Sequence, residues 1–185
     1  MIKFYTANFF FSAGAMFLFA WLARLQTGAA QAMRDAAYLS AGFGFTMAFV
    51  AGSIHVMLVR RLAEGRGQGG DIYTVFQRRE LRTALAPDRV FAVMKHYLAE
   101  VARLNLLQAD QAAGLLKAGS AFNFITYGYR MSVEIKPEPA GGTLVVIASS
   151  PRFRTILMDF GENLKAVMKA ADYLAASSHQ ERASI

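Results

Sequence analysis

The chain has 185 residues, 55% of them hydrophobic, no cysteine and a formal net charge of +7. The missing cysteine excludes disulfides, thiolate metal sites and cysteine nucleophiles, and it fits a reducing compartment. The positive balance suits positive-inside anchoring or an anionic partner surface.

The apolar excess sits at the start. Residues Phe4 to Ala23 and Ala36 to Val59 form two apolar segments joined by a short polar turn. A helix rises ~1.5 Å per residue, so ~20 apolar residues cross a hydrocarbon core ~30 Å thick. Neither segment carries a full charge, and His55 is their one readily ionisable side chain. A two-helix transmembrane hairpin over residues 1–62 is therefore expected. Arg60, Arg61 and Arg66 follow the second segment, against Arg24 and Arg34 in the turn. The positive-inside rule then places both termini and the soluble domain in the cytoplasm, at a bacterial inner membrane. Ala30-Gln31-Ala32 has the small-x-small form of a signal-peptide cleavage site, but the charged start is only Lys3 and a second span follows.

Gly44, Ala48 and Gly52 recur every four residues and so line one face of the second helix. In lipid, close backbone approach at small residues holds helices together. Gly14, with Ala13 and Ala15, offers a matching patch on the first helix. The stripe serves either packing within the hairpin or docking of another membrane subunit. Tyr5 and Trp21 suit the two interfacial aromatic belts. An ionisable group at membrane depth makes His55 a candidate haem ligand or proton relay, although a single His is more often hydrogen-bonded near the headgroups.

Gly65-Arg66-Gly67-Gln68-Gly69-Gly70 matches G-x-G-x-x-G, but a dinucleotide loop follows a strand and opens a helix. Here the run follows a membrane helix and reads as a flexible linker over 63–71.

The soluble domain, 72–176, starts with a strand over Ile72 to Leu85. Ala86-Pro87-Asp88 opens a helix to about Arg103 that buries Val90, Phe91, Met94, Leu98 and Val101. Leu115 to Ala118 is a short strand. From Phe124 to Lys136 the chain alternates, with Tyr129, Met131, Val133 and Ile135 on one face. Pro137 to Gly142 turns it into a strand over Thr143 to Ser150. A last helix spans Phe160 to Ala176, and 177–185 is a polar tail. The order β-α-β-β-β-α predicts an α+β fold, an antiparallel sheet with both helices on one face. Parallel strands would need more crossover helices than the chain holds.

Asp159-Phe160-Gly161-Glu162-Asn163 is the most distinctive stretch. Asp159 reads as a helix cap with Glu162 bonding back. A sharper reading brings Asp159, Asn163 and Ser149 or Ser150 together in a small polar site. With Ser149-Ser150 ending a strand and Asp-aromatic-Gly-x-Asn opening the last helix, Phe122 to Val167 resembles a widespread small α+β domain of uncharacterised bacterial proteins. That pattern carries a basic residue where this chain has Glu162. The resemblance implies the fold and brings no activity.

His96 and Glu100 have the spacing of two ligands on one helix face, but two ligands are not a site, and an i,i+4 surface pair explains them. No metal or other cofactor is predicted. Arg60, Arg61, Arg78 and Arg79 are candidate membrane-surface residues, each worth ~1 kcal/mol beside anionic lipid. Arg152 and Arg154, flanking Phe153, join them. Nucleic acid is not expected, because the aromatics are not interleaved with the arginines. Membrane lipids and a membrane protein are the expected partners.

Three functions fit this sequence. The first is a membrane-anchored, non-catalytic accessory or scaffold subunit docking on a larger membrane complex. The second is a tethered module binding a lipid or amphipathic ligand, with Tyr127, Tyr129, Phe122 and Phe124 lining the pocket. The third is an enzyme using Asp159 and its polar neighbours.

Overall fold

The computed structural model describes residues 2–23, 28–64, 71–122, 127–139, 141–156 and 158–183. The glycine-rich linker with Arg66, Arg24 in the interhelical turn, and Phe124 lie outside the described residues. The chain divides into two units, Met1–Glu64 and Gly65–Ile185.

The first unit holds α1 (Ile2–Ala23) and a second helix built from α2 (Ala29–Thr46), a π turn (Met47–Ala51) and α3 (Gly52–Ala63). They run antiparallel: Gly44 lies against Ala13 and the Phe9 carbonyl, and Gly52 against the Tyr5 ring. Ala32, Ala36, Ser40, Gly44, Ala48 and Gly52 are all buried, a small residue at every fourth position. An α-helix turns ~100° per residue, so this spacing drifts ~40° per step. The π turn holds more residues per turn and takes back part of that drift. Asn8 Nδ2 donates to the Met47 carbonyl at 3.0 Å, where the helix changes its hydrogen-bond register. Gly14, expected on the seam, is exposed instead, and Asn8, Ser12 and Ala20 are buried on α1.

The expectation of two spans is corrected in part. Among the described residues one helix, Ala29–Ala63, is long and apolar enough to cross a membrane, with a best stretch of mean hydropathy 1.7. The apolar stretch Asn8–Ala23 is shorter; at ~1.5 Å per residue it covers about 24 Å. The second helix starts before the expected Ala36, because Ala29 to Arg34 is rich in strong helix formers.

The second unit is α+β, with a five-stranded antiparallel sheet in the order β1-β5-β4-β3-β2. The strands are β1 (Gln77–Thr83), β2 (Asn105–Asp110), β3 (Leu115–Gly119), β4 (Tyr129–Pro137) and β5 (Thr143–Pro151). Between β1 and β2 runs α4 (Pro87–His96), extended by a π turn at Tyr97–Val101, and α5 (Glu162–Ala183) ends the unit. One sheet face, with Leu116, Met131, Val133 and Ile147, packs on Val90, Met94 and Leu98 of the first helical segment and Val167, Ala171 and Leu174 of α5. Both helices cover that face, as the alternation in β4 requires.

The structure adds β2 to the expected order. This edge strand is mostly exposed, and a register shift between Leu106 and Gln108 puts two leucines in succession, so no clean alternation marks it. β1 begins at Gln77 rather than Ile72. Gln77 Nε2 donates to the carbonyls of Ile72 (3.2 Å) and Thr74 (2.5 Å), and the Tyr73 amide to Asp71 Oδ1 (3.0 Å), which folds the preceding residues into turns. The last helix runs on to Ala183 instead of stopping at Ala176. Ser177 and Ser178 donate to the Tyr173 and Leu174 carbonyls at 3.0 and 2.8 Å, and Glu181 meets Arg89 of α4 at 3.5 Å.

Candidate functional site

The polar trio read from the sequence comes together as a closed network. Ser149, on the helix-facing side of β5, donates to Asn163 Oδ1 at 2.6 Å. Asn163 in turn donates Nδ2 to Asp159 Oδ2 at 2.7 Å and its amide to the same oxygen at 2.8 Å. Asp159 Oδ1 accepts from the Gly161 amide at 3.1 Å. Phe160 and Gly161 between them take left-handed φ of 52° and 83°. The carboxylate thus satisfies the first amides of α5, where a negative charge also meets the positive end of the helix dipole. Glu162 makes no return bond of the capping-box kind; its amide donates to the Asp159 carbonyl at 3.0 Å. All three side chains are buried, so the trio fastens α5 to β5.

A cavity of about 480 Å³ opens elsewhere in the unit, between the π turn after α4, the start of β4 and α5. Tyr97, Tyr129 and Tyr173 line it together with Glu162, Lys165, Lys169 and Asp172. Glu162, Lys165, Lys169 and Asp172 follow one another at three- and four-residue steps, so they share a face of α5. The rings of Tyr97 and Tyr173 stand 5.0 Å apart. Burial pushes the Tyr97 phenol up to about 12, with the charges of Tyr129 and Asp172 adding to it. Burial also raises Tyr129, helped by Glu162. Both phenols therefore stay protonated across the neutral range and can donate a hydrogen bond, while the two lysines supply positive charge. The volume falls in the range of small-molecule sites, ~300–1,000 Å³.

Of the aromatics expected to line a pocket, Tyr129 does so. Phe122 and Tyr127 pair with each other at 5.9 Å and stay exposed. Tyr97 and Tyr173 went unread as site residues because each sits at a helical position that scans as core. Their meeting depends on how α4 and α5 cross the sheet, for which the sequence holds no local signal.

The arginines separate. Arg60 and Arg61 are exposed in the last turn of α3. Arg78 is exposed on the sheet face away from the helices, whereas Arg79 is half-buried on the helix face, opposite Ile147. Adjacent strand residues point to opposite faces, so the pair cannot act as one patch. Arg152 and Arg154 are exposed around Phe153. Gly44, Ala48 and Gly52 are turned inward, and His55 is buried within the first unit. His96 and Glu100 are both exposed.

No protein-family model and no curated protein matches the chain. Solved structures that resemble it include Ara h 8.0201, at 11% identity and a TM-score of 0.40, with 57% of this chain and 95% of that one covered. The di-domain ARO/CYC StfQ from the steffimycin biosynthetic pathway is similar at 12% identity and a TM-score of 0.35, with 85% of this chain and 61% of that one covered.

Proposed function

We propose that the chain is a membrane-anchored, non-catalytic module that binds a small amphipathic ligand in the tyrosine-lined cavity of its second unit. The cavity carries this reading. Its walls join aromatic and aliphatic surface to phenols, two ammonium groups and two carboxylates, the lining that takes a ligand with an apolar body and a zwitterionic or hydrogen-bonding end. With their phenols held protonated, Tyr97 and Tyr129 act as donors and not as bases.

Anchoring is supported by the inverted polarity of the first unit. Phe10 and Phe19 are 68% and 70% exposed, while Asn8 and His55 are 2% and 0% exposed. Water would favour the reverse; hydrocarbon favours this arrangement. In this reading α1 and the α2–α3 helix both cross a bacterial inner membrane, with Arg60 and Arg61 and both termini on the cytoplasmic side.

The test is native mass spectrometry of the full chain purified in mild detergent. A bound mass should appear that is released on denaturation, and Ala102→Phe, which fills the cavity wall, should abolish it. A ligand-free wild-type chain that takes up no amphiphile from a membrane extract would refute the proposal. The accessory-subunit reading is the alternative, favoured by one observation: Phe153 is exposed between Arg152 and Arg154, the residue types that anchor protein interfaces. Co-purification of a membrane protein, lost in Phe153→Ser, would select it.

A further inference from the structure

We propose a second, separate site on the opposite face of the sheet, where Arg78, Lys117 and Arg130 bind the phosphate of a phosphate-bearing amphiphile. It rests on a different cavity and does not depend on the ligand of the tyrosine pocket.

The register builds it. Arg78 of β1 pairs with Ala148 of β5, Ala148 with Ser132 of β4, and Ser132 with Lys117 of β3, which makes one row across four strands. In the next row on the same face, Ser150 pairs with Arg130 and Arg130 with Gly119. Residues two apart along a strand share a face, and strands lie ~4.8 Å apart, so the long cationic side chains stand around a floor of small residues. The result is a basin of about 420 Å³ whose lining includes all three cations, Ser132 and Ser150 but no carboxylate. Phe76 and Leu107, both largely exposed, stand at its sides.

Charge makes the basin a site and not an ordinary strand surface. Elsewhere on this face cations are answered: Lys136 bonds Glu134 and Arg82 bonds Glu138, each at 2.9 Å. At the margin of the basin Arg78 bonds Glu80 at 2.9 Å. Among the described residues Lys117 and Arg130 have no carboxylate partner, and as diagonal neighbours, Lys117 opposite Ser132 and Arg130 opposite Gly119, the two long cations repel within reach of each other. An arriving phosphate would relieve that repulsion. Arg offers planar bidentate donation, Lys a point charge, and the two serine hydroxyls further donors on the floor. The apolar sides favour a phosphate that carries acyl or other hydrocarbon groups over a bare ion.

The experiment is calorimetric titration of the full chain in nonionic detergent with two phosphomonoesters, dihexanoyl-phosphatidic acid and glycerol phosphate. The lipid should bind more tightly, and its affinity should fall as salt rises. Lys117→Gln/Arg130→Gln should weaken it about a hundredfold, since each of the two charged hydrogen bonds lost is worth roughly a factor of ten. Ser132→Glu should abolish binding, Phe76→Ser should weaken only the lipid, and Lys95→Gln, an exposed position on α4 outside both cavities, should change nothing. Circular dichroism confirms that these exposed-face variants fold. Equal affinity for the two ligands would assign a soluble phosphate compound and remove the amphiphile. Absence of binding, or binding that survives both Lys117→Gln/Arg130→Gln and Ser132→Glu, overturns the site.

Discussion

Replacing Asp159 by Ala should be among the most damaging single substitutions in the second unit. Asp159 is 2% exposed and accepts from the Gly161 amide at 3.1 Å, the Asn163 amide at 2.8 Å and Asn163 Nδ2 at 2.7 Å. Loss of the cap alone costs about 1 kcal/mol. The variant also strands donors in a place where Asn163 is 1% exposed, and a buried donor without an acceptor costs ~1–3 kcal/mol. Phe160, held at φ 52° between Asp159 and the Gly161 amide that bonds it, would relax, returning part of the ~1–2 kcal/mol that a left-handed non-glycine residue costs. The sum is about 2 kcal/mol, a substantial share of the ~5–15 kcal/mol by which domains are stable. Ser149→Ala removes one bond, 2.6 Å to Asn163 Oδ1, and should cost about 1 kcal/mol. Amide hydrogen exchange of the full chain in detergent reads both: Asp159→Ala should deprotect the first turns of α5, Ser149→Ala less so. A cost below ~1 kcal/mol for Asp159→Ala, with unchanged protection over residues 161–164, would show that water replaces the carboxylate and that the network does not hold the helix.

Three other outcomes are expected. Gly44→Leu places a side chain where even a Cβ would come within 2.8 Å of Ala13 Cβ and 3.0 Å of the Phe9 carbonyl; overpacking of at least ~1–3 kcal/mol should part the helices and lower the melting temperature in detergent. Asn8→Leu deletes the donor to Met47 O; it should cost about 1 kcal/mol in lipid and raise exchange at the π turn, and an unchanged exchange pattern would sever the two. Tyr97, raised to about 12 mainly by burial, resists ionisation in the folded state. Its contribution is therefore complete below the ordinary phenol range near 10 and is lost as pH climbs from there to about 12. Phenolate absorbance should show this late step, and Tyr97→Phe should remove it; a step that survives belongs to another tyrosine.

Period decided what the sequence disclosed. β4 alternates cleanly around Met131, Val133 and Ile135, so its face followed from spacing, whereas β5 is a continuous apolar run placed by the Pro- and Gly-rich turn that joins it to β4. β2 did not, since its bulge at Leu107 breaks the period and an edge strand buries too little to leave a pattern. The trio of Ser149, Asp159 and Asn163 was legible because two of its members are four residues apart at a helix start. The tyrosine cavity was not, because Tyr97 and Tyr173 are brought within 5.0 Å only by tertiary crossing. Arg78 and Arg79 look like one patch in a linear reading, yet the pleat sends them to opposite faces, and the cations that share a basin with Arg78 are Lys117 and Arg130, on strands far along the chain.

The small-residue stripe teaches the same lesson in helical form. Three members, Gly44, Ala48 and Gly52, mark a face but do not say what meets it; the same glycines would serve a partner subunit. The answer lies in residues that carry no motif. Tyr5, Phe9 and Ala13 recur every four residues on α1 and reach Gly52 and Gly44 in reverse order, as an antiparallel neighbour does, and here that neighbour is the chain's own α1. Close approach there leaves no room for a second occupant. An outside helix would instead have to meet the aromatic surface of Phe10, Phe19, Phe45 and Phe49, where large side chains keep backbones apart. Any stable docking by this chain is therefore expected outside the hairpin, and a co-purified partner should survive Phe45→Leu and Phe49→Leu yet be lost with Phe153→Ser; the opposite pattern would return the hairpin to the interface.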